Sequence, residues 1–108
     1  MPAGSDPTRF FLEHPDVRAE LLALIRQFLG SELDLPTFWR QYNFLYADVP
    51  SGAIPDADME FFSEVNDRLH YADFHSPPDP QLEDPREFTS WLLGALRAFE
   101  SGSWSARA

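Results

Sequence analysis

The sequence predicts an all-α fold, a small antiparallel four-helix bundle, and three observations lead there. Apolar residues recur at helical spacing in four separate stretches, and no stretch alternates as a strand would. Each stretch opens at an aspartate or proline and runs out before a glycine or proline. The connections between them are of moderate length, as neighbouring helices in a bundle require. All 108 residues form one domain, with a helical core over about 15–100 and frayed ends at 1–9 and 101–108.

The first helix is expected from Pro15 to Leu29. Proline suits a first helical position because its missing N–H costs nothing there, and Asp16 and Glu20 sit near the positive end of the dipole. Val17, Leu21, Leu24 and Phe28 line one face, widened by Leu22, Ile25 and Leu29, and Gly30 closes the helix. The second helix opens at Leu35, with Asp34 as cap and Pro36 in its first turn. Phe38, Tyr42 and Leu45 form its apolar row, flanked by Trp39 and Tyr46. It stops by Val49, because Pro50, Gly52 and Pro55 punctuate the next stretch of chain.

Asp56 is expected to cap the third helix, whose buried side carries Phe62, Val65 and Leu69. Asp56, Glu60, Glu64 and Asp67 fall at spacings of four, four and three, so they share the other face. Like charges at that spacing weaken an isolated helix by a few tenths of a kcal/mol per pair, roughly. The loop His75-Ser-Pro-Pro-Asp-Pro cannot be helical. Asp84-Pro85-Arg86-Glu87 then reads as cap, first-position proline and reciprocal acid. Phe88, Trp91, Leu92, Ala95, Leu96 and Phe99 form the last core stripe, and Gly102 ends it. Trp104 is placed to fold back onto the domain.

Composition narrows the function classes. Hydrophobic residues make up 44% and aromatics 15%, enough for a real core and too much for an acidic disordered tail. No apolar run approaches the roughly 18 residues of a membrane span. MPAGSDPTRFF lacks the basic-then-apolar order of a secretory signal, so the expected location is cytoplasmic. With no cysteine there is neither a disulfide framework nor a thiol nucleophile.

Charge is the most informative property. The formal net charge is -10, from 18 acidic and 8 basic residues. All eight bases are Arg, a usage read as genome composition. Nucleic acid and anionic membrane are excluded as direct partners, since both need basic contacts. A cationic protein partner is attracted and steered. The acids are also concentrated: residues 41–85 hold ten of them against Arg68 alone, a net of -9. A merely solubilising excess would scatter. Two readings stand side by side for this cluster: helix capping and a solvated face, with Asp56 and Asp84, like Asp34, as caps, or a partner-binding face.

Catalytic signals are weak, and the chain reads as a non-enzyme without cofactor. Asp67-Arg-Leu-His70 has the carboxylate-x-x-His spacing of bundle di-iron sites, but one copy is too few, so no metal is expected. Asp56-Ala-Asp58-Met-Glu60 starts like a calcium loop yet lacks its glycine and closing glutamate. Ser51, Ser63, Ser76 and Ser90 have no base in motif context, and His14 at its helix start is expected to be exposed.

Aromatics at helical spacing are usually core, but a small bundle hides only one stripe per helix. Phe61 beside Phe62, and Tyr71 with Phe74, are hard to bury together. Phe61, Tyr71 and Phe74 are therefore candidate anchors among the acids, with Trp39 a further one, as interface hot spots are built.

Phe38-Trp-Arg-Gln-Tyr42-Asn-Phe-Leu45, an acidic third helix, and Glu87-Phe88-Thr-Ser-Trp91-Leu92 with Leu96 together resemble the colicin D-type immunity proteins. These belong to the bacterial self-protective, colicin-like immunity domains. The resemblance covers Leu21 to Phe99. It implies a four-helix bundle that neutralises a cationic toxin nuclease made by the same cell, an RNase or tRNase. The family's acidic side chains stand where substrate phosphates would go. It has no catalytic residues to carry over, and the proline-rich loop Ser76–Pro80 departs from its pattern. Mapped onto this chain, the toxin-binding acids are Asp56, Glu60, Glu64 and Asp67, with Asp58 and Asp73 behind them, and the protein acts as a monomer. The alternative is an acidic secretion chaperone or adaptor for a cationic exported protein, which binds an unfolded segment and often dimerises.

Overall fold

A computed structural model describes residues 12–72 and 84–104. Among them are four helices and no strand: α1 (Val17–Leu29), α2 (Leu35–Ala47), α3 (Asp56–Tyr71) and α4 (Pro85–Ser101). Each packs on the next in chain order. Trp39 near the start of α2 meets His70 at the end of α3, whereas Tyr46 near the end of α2 meets Ser63. That reversed order of contacts is the one an antiparallel pair makes.

The helix ends follow local chemistry, with three departures from expectation. Asp34 caps α2, its side chain accepting from the Thr37 N–H at 2.9 Å, and Asp84 caps α4 through the Arg86 N–H at 2.8 Å. For α1 the cap is Asp16, which accepts from the Ala19 N–H at 3.1 Å, so Pro15 lies before the helix instead of opening it. Asp56 does not cap α3. Pro55 occupies that position without a side-chain bond, and Asp56 is the first helical residue, where its charge faces the positive dipole end.

The third departure is at the end of α1. Gly30 has an ordinary backbone (φ -86°) and Ser31 carries the left-handed one (φ 64°). The Glu32 N–H reaches the Gln27 carbonyl at 2.8 Å and the Ser31 N–H reaches Phe28 at 3.1 Å, which is a Schellman closure one residue beyond the glycine. At the end of α4 the same closure falls on Gly102 as expected, with φ 80°.

One apolar core joins the four helices. Phe38 and Tyr42 of α2, Phe62 and Val65 of α3, and Phe88 and Leu92 of α4 are fully buried against Leu21 and Ile25 of α1. Burying each large apolar side chain contributes about 1.5–3 kcal/mol before ordering costs. The Tyr42 hydroxyl is buried too, and donates to the Phe62 carbonyl at 2.9 Å. Without that bond the deep burial would be expensive. Phe28 stacks on Phe38 with centroids 4.7 Å apart, fastening the end of α1 to the start of α2. Trp104 does fold back, its ring meeting Phe61 edge-on at 5.5 Å.

Candidate interaction face on the third helix

The core claims one side of α3 and leaves the other to solvent. Phe61, Phe62, Val65 and Leu69 are buried. Asp56, Glu60, Asp67 and Tyr71 are exposed and succeed one another at spacings of four, seven and four, with Glu64 between them. These positions fall within one arc of the helix surface. From Asp56 to Asp67 the row is about 16 Å long at the α-helical rise per residue.

Ion pairing divides the expected acids into two groups. Arg18 of α1 donates through Nε to Asp58 at 3.0 Å, so Asp58, expected behind the row, faces α1 and is paired there. Arg68 lies 3.7 Å from Glu64, one turn away. Asp56, Glu60 and Asp67 form no ion pair among the described residues. Three uncompensated carboxylates on one ridge produce a field that exposed, already paired acids do not.

Arg68 is the one base of the acidic stretch, and its guanidinium lies 4.3 Å from the centre of the Trp91 ring. It thus bridges the α3–α4 seam and Glu64 at the border of the carboxylate row.

The aromatic anchors also separate. Tyr71 is 65% exposed and ends the acidic row. Phe61 is fully buried, contrary to the expectation of exposure, because Phe99 of α4 stacks on it at 4.2 Å and Trp104 covers its edge. Trp39 is half-buried against His70. Asp73 and Phe74 lie outside the described residues, as does the proline-rich loop.

The histidines differ from expectation as well. His14 is part-buried, with Nδ1 2.8 Å from Glu20 Oε1 in the first turn of α1. His70 places Nδ1 3.0 Å from the Asn66 carbonyl and satisfies the end of its own helix. Among the described residues no group of three or more His, Asp or Glu could hold a metal ion. No helix of the described residues is long and apolar enough to cross a membrane.

Sequence reasoning did not single out the exposed ring of Phe44 on α2, 71% accessible, although its spacing puts it off the row Phe38, Tyr42 and Leu45. Comparison with models of protein families, with curated proteins and with solved structures gives no match for this chain.

Proposed function

We propose that the protein is an immunity-type inhibitor, not an enzyme, which binds a cationic toxin nuclease through the exposed face of α3. The observation that carries this reading is the row Asp56, Glu60, Asp67 and Tyr71: three acids without a cationic partner among the described residues, ending in an exposed aromatic ring. A nuclease cleft is basic because it must hold phosphate. Carboxylates presented on a ridge match that potential, speed encounter and reject anionic competitors. Tyr71 adds an amphipathic ring of the kind that anchors protein interfaces. Glu64 lies within the same arc, its charge partly offset by Arg68 at 3.7 Å.

The test is co-expression with the product of the adjacent upstream gene. Retention of a basic C-terminal domain by the tagged protein, with its toxicity suppressed only in the pair, is expected. If nothing basic is retained at low salt, where charge attraction is least screened, the inhibitor reading fails.

A further inference from the structure

A groove of about 640 Å³ opens between α1 and α2, inside the roughly 300–1,000 Å³ range of ligand clefts. Its lining is ordered by the register of the two helices. Phe28 stacks on Phe38 at the closed end of the hairpin. Moving away from that contact, Arg40 and then Phe44 come in turn along α2, followed by Asp48 at its C-cap, while Leu24 and Glu20 come in turn along α1, preceded in the chain by His14. The groove thus has a basic end at Arg40, an apolar middle at Leu24 and Phe44, and an acidic end at Glu20 and Asp48. None of the residues of the α3 row lines it.

Three features of that groove are unsatisfied. Phe44 is 71% exposed. Arg40 and Asp48 form no ion pair among the described residues, although eight residues of helix, about 12 Å, separate them. Glu20 spends Oε1 on His14, and its Oε2 is buried with no hydrogen-bond partner. A positive charge brought to that end therefore meets the exposed Asp48 directly and Glu20 only at longer range, through its Coulomb field.

We propose that the α1–α2 groove is a second binding site, which takes an extended peptide of about four residues with a Lys or Arg at the Glu20–Asp48 end and a carboxylate at the Arg40 end. The cation offsets the acidic end, the apolar middle covers Phe44, and the carboxylate pairs with Arg40. A purely cationic ligand leaves Arg40 facing like charge, and a purely anionic one meets Glu20 and Asp48. This site stands apart from the α3 reading and does not depend on it.

The probe is acetyl-Arg-Leu-Leu-Asp-amide, whose blocked ends leave only its two side-chain charges, and the readout is the amide chemical shifts of the labelled protein. Saturable shifts at Ala23, Leu24, Gln41 and Phe44 are expected. Replacing the peptide's Arg or Asp by Ala is expected to weaken binding about two- to fivefold, the range of one exposed ion pair. Arg40→Glu and Asp48→Arg should each do the same, with unchanged circular dichroism since both side chains are exposed. Absent or unsaturable shifts, shifts only along α3, or variants that leave affinity unchanged would each overturn the proposal.

Discussion

The guanidinium of Arg68 on α3 lies over the indole ring of Trp91 on α4, 4.3 Å from its centre. This contact does two things at once. It joins two helices through a charged side chain with a long apolar stem, and it draws the single base of the acidic stretch to the seam.

Replacing Arg68 by Ala separates these roles. Loss of the ring contact is expected to lower stability by about 0.5–1 kcal/mol, read from a urea midpoint. The same change leaves Glu64 without its partner and makes the α3 face one charge more negative. Association with a cationic partner at low salt should then become faster, with a steeper salt dependence. Slower association would mean that Arg68 itself contacts the partner.

Phe61 and Tyr71 give the clearest structural contrast on α3. Phe61 is sealed between Phe62, Phe99 and Trp104, and Phe61→Ala is expected to cost about 3–5 kcal/mol. Tyr71→Ala removes an exposed ring and should change stability by no more than about 0.5 kcal/mol. Thermal unfolding of both variants tests this. A large loss for Tyr71→Ala alone would mean that its ring packs inward.

Helix geometry marks two positions where the native residue is not the most stable one. Ser31 holds the left-handed backbone that closes α1, a conformation costing a non-glycine residue about 1 kcal/mol. Ser31→Gly is expected to recover much of that. Gly94 lies within α4, and a methyl group placed there meets nothing within 4 Å. Gly94→Ala should therefore stabilise by about 0.5–1 kcal/mol. Melting curves of the two variants should both shift upward, and a fall in either would refute the corresponding backbone assignment.

Acid and alkaline limits have separate causes. The Thr37 side chain and backbone N–H hold the Asp34 carboxyl below its usual range. The backbone N–H of Arg86, then its side chain, do so for Asp84. A depressed carboxyl stabilises above its unfolded value near 4 and loses that contribution as pH falls through the folded value. Stability should accordingly fall below about pH 4, and the Asp34→Asn, Asp84→Asn pair, which keeps neutral caps, should flatten the decline.

Burial, with Tyr46 nearby, pushes the Tyr42 hydroxyl well above its ordinary value. A raised group contributes fully below its unfolded value and loses stability as pH rises beyond it. Stability is therefore expected to decline above about pH 10, and Tyr42→Phe should remove part of that slope. Denaturant midpoints across pH check both limits, and an unchanged slope in either variant assigns the titration to other groups.

The four helices and most of the core were legible because their signals are local. Periodicity placed Phe62, Val65, Leu69, Phe88 and Leu92 inside, and Asp34, Pro85 and Gly102 sit at the ends their chemistry favours. Local spacing was also enough to put Asp56, Glu60, Glu64 and Asp67 on one arc. It could not supply the partner of each side chain. Asp58 pairs with Arg18, 40 residues earlier, and Phe61 is buried by α4 and Trp104, both far along the chain. At Ser31 the nearby glycine was a misleading signal, because the closure of α1 is fixed by the register of its last carbonyls. An acid at a helix start reads alike whether it caps, as Asp16 does, or only faces the dipole, as Asp56 does.

The most direct measurement of the central claim is the affinity of the Glu60→Lys, Asp67→Lys double variant for a basic nuclease domain retained in the co-expression test. Asp58→Asn, a change to an acid already paired with Arg18, is the control. The charge-reversed pair should bind at least about a hundredfold more weakly, as close interfacial charge pairs do when disrupted, and should lose protection in cells, while retaining native helicity. The control should bind within about threefold of the unchanged protein. Full affinity and full protection by the folded double variant would contradict the assignment of α3 as the binding face.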